Sequence, residues 1–329
     1  MMRARDGAVR RRAYGEVVSV ADEKPPIDAI LRKVLDAVPF QLSVDEGVEV
    51  ARQKLRDLPR REVHPEVEAQ DRTVPGPAGD IPIRVYRPAT PQPWPPVVVF
   101  FHGGGFAAGD LDTHDGECRH HAVAADAVVV SVDYRLAPEH PYPAAVDDAW
   151  AALTWIAEHG ADLSVNAARL AVAGDSAGGN LSAVLTHRAR AHGGPPITFQ
   201  LLWYPVTMWD RSLPSVIENA DAPILDASAI DGFSRWYAGD ESDPSPDMAP
   251  GRASDFTGLP PAYIAVAGHD PLRDDGIRYA ELLSAASVPV ELHNAQTLVH
   301  GYLGYAGVVP AATAAAERGF AALRAALHA

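Results

Sequence analysis

The sequence predicts an α/β fold in which a mostly parallel sheet is covered on both faces by helices. Three observations carry the prediction. First, short apolar runs recur at Val97–Phe101, Val128–Val132, Leu170–Ala173, Phe199–Tyr204, Tyr263–Ala267 and Val288–Leu292. Runs dominated by apolar residues, without strict alternation, are what strands buried on both faces look like. Second, segments of helical periodicity separate these runs, as the crossovers of a parallel sheet require. Third, 329 residues suit one large α/β domain with an appended subdomain, because about 150 residues per domain is only a prior.

The elements follow in chain order. Arg3, Arg5, Arg10, Arg11 and Arg12 precede a weak apolar stretch, Val17 to Ala21, which Ser19 interrupts and Asp22, Glu23 and Lys24 close. An export signal needs a longer apolar region, so this segment reads as a tail and the protein is expected in the cytoplasm. Ile27, Ile30, Leu31, Val34 and Leu35, then Val44, Val48, Val50 and Leu55 after Pro39, recur at helical spacing. They predict two short amphipathic helices. Ile81, Ile83 and Val85 alternate after the turn-forming stretch Pro75 to Asp80, which predicts an antiparallel hairpin. Pro88, Pro91, Pro93, Pro95 and Pro96 then withhold backbone donors and form a stiff link. Between the fourth and fifth apolar runs, Val206 to Pro261 is too long for a simple connection. It is expected to be an insertion with helices of its own, carrying Trp209, Phe233, Trp236 and Tyr237. Pro310 to Ala329 reads as a final helix.

Composition removes several functions. Lys plus Arg number 28 against 43 Asp plus Glu, a net charge of −15, so no basic field exists to hold a nucleic acid or an anionic membrane. The single cysteine, Cys118, has no intramolecular disulfide partner, and no Cys/His set has zinc-site spacing. The longest clean apolar run, Val97–Phe101, is far below the ~18 residues of a membrane helix. No metal and no cofactor is expected.

Four motifs carry chemistry. Gly174-Asp175-Ser176-Ala177-Gly178 is a Gly-x-Ser-x-Gly pentapeptide between a predicted strand and a predicted helix. That context forces a nucleophile onto a tight turn at the carboxyl edge of the sheet. His102-Gly103-Gly104-Gly105-Phe106 ends the run Val97–Phe101, and its glycines let backbone N–H groups approach a developing oxyanion. A phosphate cradle would also use glycines, but no Gly-Lys-Ser/Thr follows, and Ala108 stands where a dinucleotide fingerprint needs glycine. Asp270 follows the run Tyr263–Ala267, and His300 follows the last strand. The order Ser176, Asp270, His300 supplies a nucleophile, a carboxylate that orients the imidazole, and a base.

With these residues in view, the chain resembles the hormone-sensitive-lipase-like (family IV) esterases of the α/β-hydrolase fold. The likeness runs from about Val74 to the C-terminus. It rests on the motifs at 102–106 and 174–180, on Asp133-Tyr134-Arg135-Leu136-Ala137-Pro138-Glu139 with Pro143-Ala144-Ala145, and on Asp270-Pro271-Leu272. Tyr302 departs from the Phe more usual after His-Gly. The resemblance implies an eight-stranded, mostly parallel sheet with a helical cap. It implies that residues 1–62 hold the tail and cap helices, 63–205 and 262–329 the core, and 206–261 a cap insertion. It also implies oxyanion N–H groups from Gly104, Gly105 and Ala177, a small-molecule ester substrate, no cofactor, and a homodimer as one option for assembly.

The expected activity is therefore hydrolysis of short to medium acyl esters, with Phe106, Trp209, Phe233 and Trp236 as candidate pocket walls; Trp209, Phe233, Trp236 and Tyr237 also read as cap core. An amidase or acyltransferase would use the same triad, and a non-catalytic receptor, as the plant gibberellin receptors resemble this family, could share the scaffold. Asp274 and Asp275 sit at a helix start, where carboxylates favour the dipole. His293 at a strand end, and His120 and His121 within a helix, are read as packing or surface residues. Arg135 and Glu139 are expected to brace loops through ion pairs.

Overall fold

The computed structural model describes residues 24–89, 92–239 and 243–329; the arginine-rich segment and Val17 to Ala21 lie outside them. Two helices, α1 (Ala29–Ala37) and α2 (Val48–Arg56), precede the sheet. Asp28 caps α1 by accepting from the Ile30 and Leu31 N–H groups, which satisfies donors that the first turn leaves orphaned. The hairpin is β1 (Glu68–Gly76) and β2 (Gly79–Arg87), antiparallel in register from Glu68 opposite Arg87 to Gly76 opposite Gly79.

The chain continues through β3 (Val97–Phe101), α3 (Asp115–Ala125), β4 (Val128–Val132), α4 (Ala144–Glu158), β5 (Leu170–Asp175), α5 (Ala177–His192) and β6 (Ile197–Trp203). Between β6 and the next strand come α6 (Pro214–Glu218), α7 (Ala227–Ala238) and a single 3₁₀ turn at Pro250–Arg252. Strand β7 (Ala262–His269), α8 (Arg273–Ala285), β8 (Val290–Val299) and α9 (Pro310–Leu327) complete the fold. The eight strands lie in the order β1-β2-β4-β3-β5-β6-β7-β8. All pairs from β4 across to β8 are parallel. The chain passes from β3 outward to β4 and returns to place β5 on the other side of β3. That reversal is where an open α/β sheet leaves a crevice at its strand ends.

The apolar runs divide by the two-residue period of a strand. Val97, Val99 and Phe101 face the layer of α4 and α5, with Val146, Leu153, Leu181 and Val184. Val98 and Phe100 face α3 and α9, with Cys118, Ala122, Ala316 and Leu323. Each fully buried Val or Leu contributes about 1.5–3 kcal/mol of transfer free energy. Close packing also fixes α9 at one point: a Cβ on Gly319 would strike the Trp203 indole.

One element differs from its expected bounds. The last strand was expected at Val288–Leu292, but it runs over Val290–Val299, so His293 lies mid-strand opposite Ala265. This strand is the sheet's edge, half of it solvated, and its polar residues His293, Asn294, Gln296 and Thr297 hide it from an apolar-run criterion.

Candidate active site

The strand register assembles the site. Phe101 pairs with Gly174, so the loops that leave β3 and β5 emerge side by side. Gly174 and Gly178 are required there, because a Cβ on either would run into the Phe101 carbonyl or its immediate surroundings. Between them Ser176 adopts φ +54° and ψ −115°, a region costly for a side-chain-bearing residue and held only by surrounding structure. Its N–H donates to the Trp203 carbonyl at 2.8 Å. The residue is 9% exposed, which leaves the hydroxyl accessible from one side.

Asp270 reaches the same edge through a register shift in β7 between Ala267 and His269, a device that re-aims a strand end. Gly268 at that shift has no room for a side chain against the Gln296 backbone. The Asp270 carboxylate is completely buried; Oδ1 accepts from Leu272 N–H and Oδ2 from His300 Nδ1, both at 2.8 Å. His300 Nε2 lies 3.1 Å from Ser176 Oγ. The Tyr204 ring packs edge-on against the imidazole at 4.8 Å. The three polar side chains therefore form one continuous hydrogen-bonded chain. Asp274 turns elsewhere, to Ser215 N–H and Arg273, and Asp275 accepts from Thr207 and Met208 N–H groups.

The glycine loop lies against the serine turn. Gly103 N–H donates to Asp175 Oδ1 at 2.8 Å, and Tyr134 Oη donates to the His102 carbonyl at 2.7 Å. Gly104 has φ +113° and Gly105 φ +62°, the second lying under the Phe233 ring. Neither N–H has an acceptor among the described residues. Ala177 opens α5, where the first N–H groups have no intrahelical partner.

Several supporting residues carry no sequence signal. Arg52 of α2 donates to the Ala107 and Ala137 carbonyls at 2.8 and 3.1 Å while pairing with Glu139 at 2.7 Å. It ties the first helices to the glycine loop. Glu139 thus braces the loop as expected, and Arg135 does so through buried Asp148 at 2.7 Å. His114 Nε2 lies 3.4 Å from Asp175 Oδ1. Burial alone would lower the His114 pKa, but the Asp175 carboxylate overrides it and the net direction is up. Burial likewise opposes ionisation of Asp175, and His114 reverses that, holding its carboxyl low. His121 is neutral: Nδ1–H donates to the Glu117 carbonyl and Nε2 accepts from Trp203 Nε1–H at 3.0 Å. Burial pushes its pKa down to about 4.

Ser176 and His300 open into a cavity of about 790 Å³. Its apolar walls come from Val34 and Val38 of α1, from Leu55 and Leu58, from Ile224, and from Leu303 and Val308 beyond the histidine. The four aromatics expected as walls do not line it. Phe106, at φ +61°, turns its ring onto Tyr237 at 3.8 Å. Trp209 packs against both rings, and Phe233 meets Trp236 edge-on. These aromatics form the core that seats α7 on the glycine loop. Burying aromatic area against aromatic area was available to them inside the protein, so none was left for the cavity. His120, expected to be a packing or surface residue, lines the cavity and meets His64 at 3.0 Å.

The family profile of the alpha/beta hydrolase fold matches residues 98–304, more than half the chain. Esterase LipI of Mycobacterium tuberculosis is 68% identical over 314 residues, covering 94% of this chain and 98% of that protein. The chain belongs to the hormone-sensitive-lipase-like (family IV) esterases. Carboxylesterase NlhH of the same organism is 57% identical over 314 residues, covering 93% of this family member and 98% of the relative. A solved thermostable esterase from Pseudomonas putida superposes with TM-score 0.88 at 35% identity, covering 93% of this chain and 99% of that one. Among the described residues no group of three or more His, Cys, Asp or Glu could hold a metal ion. No described helix is long and apolar enough to cross a membrane.

Proposed function

We propose that this protein hydrolyses carboxylic esters of short to medium acyl length through an acyl-enzyme. The observation that carries the reading is the chain Ser176–His300–Asp270, with spacings of 3.1 and 2.8 Å, opening into an apolar cavity. Ser176 Oγ attacks the ester carbonyl carbon while His300 Nε2 takes its proton. Asp270 accepts from Nδ1–H, which fixes the tautomer and stabilises the imidazolium. The carbonyl oxygen becomes an oxyanion held by the N–H groups of Gly104, Gly105 and Ala177, donors that need no reorganisation. The tetrahedral intermediate collapses, His300 returns the proton to the departing alcohol, and the acyl group stays on Ser176. A water then repeats the sequence: His300 takes its proton, the hydroxide adds to the acyl carbon, and the acid leaves as Ser176 recovers its proton.

Helices α1 and α2 with residues 206–261 act as the cap in this reading, over a core of 63–205 and 262–329. The cap closes the cavity at a finite length. Each added methylene contributes up to ~0.8 kcal/mol until the wall is met, after which overpacking reverses the gain. Activity on esters of increasing acyl length should therefore rise and then fall before long fatty chains.

The test is labelling by a fluorophosphonate followed by a panel of aryl esters. Stoichiometric loss of activity with Ser176 as the labelled residue is the expected result. An unlabelled protein, as a receptor on this scaffold would be, overturns the reading. Faster turnover of a matched amide, or preferred transfer to an added alcohol, would reassign the same triad to an amidase or an acyltransferase.

A further inference from the structure

The cavity beside Ser176 is apolar on most of its surface, yet polar side chains that the triad mechanism does not use also line it, Asp112, His114, Asp115, Glu117 and His120 among them. Glu117 stands in the first turn of α3, one helical turn after His114, and lines the same cavity as Ser176 and His300. A carboxylate in a first turn favours the helix dipole, but that role needs no inward orientation. Asp115, which also lines the cavity, already fills it, pairing with Arg119 at 2.6 Å and accepting from Tyr86 Oη at 3.1 Å.

Glu117 has no such side-chain partner; its carboxyl group accepts from its own backbone N–H, with the charges of His114 and Arg60 nearby. Among the described residues no side chain hydrogen-bonds or ion-pairs its carboxyl group. Its own carbonyl is taken by His121. Arg60 spends its donors on the carbonyls of Thr113, Arg56, Leu58 and Leu55. Across the cavity a Cβ on Gly304 would lie 3.5 Å from Glu117 Oε1, which is ordinary contact, so the carboxyl abuts backbone there and not a cation. Its remaining accessible surface faces the cavity. Glu117 is half-buried, so water in the cavity reaches its carboxyl, and a substrate that displaces this water leaves a costly group unless the substrate bonds it.

We propose that Glu117 is a specificity residue that binds a hydroxyl group carried on the arm of the ester that fills this cavity, so that hydroxylated esters are preferred over aliphatic ones of equal length. The proposal rests on the esterase reading above. A hydroxyl fits because it donates to a carboxylate and accepts from a carboxylic acid, so the bond forms in either state of Glu117. Burial raises the Glu117 pKa above the ordinary carboxylate value, against the opposing pull of the neighbouring His114. An aliphatic arm of the same length displaces the water at the carboxyl without replacing its hydrogen bond, a penalty a site built for hydrogen bonding imposes on analogues that lack the group.

The test compares matched substrates in which a terminal hydroxyl replaces a methyl, with the hydroxyl placed on the acyl arm in one pair and on the alcohol arm in the other. For the wild-type enzyme, kcat/KM should favour the hydroxylated member of at least one pair by about tenfold, the order of one net hydrogen bond. Glu117→Leu should reverse that ratio by raising activity on the aliphatic member. Glu117→Gln, which still donates and accepts, should retain most of the wild-type preference. Wild-type enzyme that favours the aliphatic member of both pairs overturns the proposal whatever the variants do, and so does a ratio unchanged in Glu117→Leu. Both results leave the esterase reading standing. Absence of hydrolysis of every ester by the wild-type protein would sink the esterase reading and this inference with it.

Discussion

The reactive edge and the cavity wall of this molecule are built by different rules. The edge consists of backbone positions that tolerate one solution: Ser176 at φ +54°, Gly104 at φ +113°, and glycines at 174 and 178 where a Cβ would collide. The wall consists of side chains from α1, from the segment after α2, from α3 and from the loop after His300. No two of those segments are neighbours in sequence. The difference shows that the bond-making geometry is encoded locally, while the choice of substrate is encoded by docking of distant pieces.

The largest expected effect tests the edge. Ser176→Ala should lower kcat on the order of 10⁵–10⁶-fold with little change in melting temperature, since the turn depends on its glycines. A purified variant keeping a few per cent of wild-type rate would remove the nucleophile assignment. Asp270→Asn should cost about 10⁴-fold by holding His300 in the wrong tautomer. Asp274→Asn, whose carboxylate bonds Ser215 N–H and Arg273, should cost less than about tenfold, as a surface-side hydrogen bond does. Reversed effects would assign the acid to Asp274.

A smaller effect tests the wall. Leu58→Ala should move the optimum acyl or alkyl length upward by about one or two methylenes, each worth up to ~0.8 kcal/mol. Trp236→Ala, made in the aromatic core that seats α7, should leave that optimum in place and lower thermal stability instead. A shift with Trp236 and none with Leu58 would exchange the roles drawn here. Arg52→Ala joins the two regions, because it frees the glycine loop from α2. It should lower kcat/KM about tenfold, with Arg52→Lys recovering only part, because an ammonium cannot reproduce the forked contact.

The smallest effect concerns pH, and its sign differs between the two regions. His102 and His121, beneath the edge, are driven by burial to pKa values of about 4. The unfolded chain then takes up protons first, so their contribution to stability is full above the ordinary histidine value of about 6.5 and is lost as pH falls toward 4. Asp275, below the residues that lead out of β6, is raised by burial to about 6. There the native state binds the proton first, so its contribution grows as pH falls from 6 through the ordinary aspartate range. Both N–H groups it binds, from Thr207 and Met208, reach Oδ1, which an asparagine oxygen can replace. Denaturant melts of Asp275→Asn should show an advantage over wild type of about 1–2 kcal/mol at pH 7 that disappears by pH 4. A constant difference across that range would mean that Asp275 does not titrate as argued.

Legibility follows the same division. The serine turn, the glycine loop, Asp270 and His300 were readable because each stands at the end of an apolar run, and a motif marks the backbone it needs. The aromatics Trp209, Phe233 and Trp236 read as cap core or as pocket walls, and Phe106 as a wall. An aromatic in an insertion reads the same whether it faces a cavity or a neighbour, and only the positive φ of Phe106 and its stacking on Tyr237 decide. Arg52, His114 and Glu117 gave no signal, since one arginine or glutamate on a short helix looks solvated until its neighbours are placed.

By itself the sequence determined the parallel sheet, the hairpin at its edge, the final helix and the candidate catalytic residues. Periodicity and glycine spacing report on backbone conformation, which is a local property. Only the tertiary structure decided where β8 runs, that α7 seats on the glycine loop through its aromatics, and that Arg52 of α2, 55 residues before Ala107, anchors that loop. It alone placed the Glu117 carboxyl in the cavity. Those outcomes depend on which surfaces meet between segments distant in sequence, and burial, not periodicity, sets the energy of each meeting.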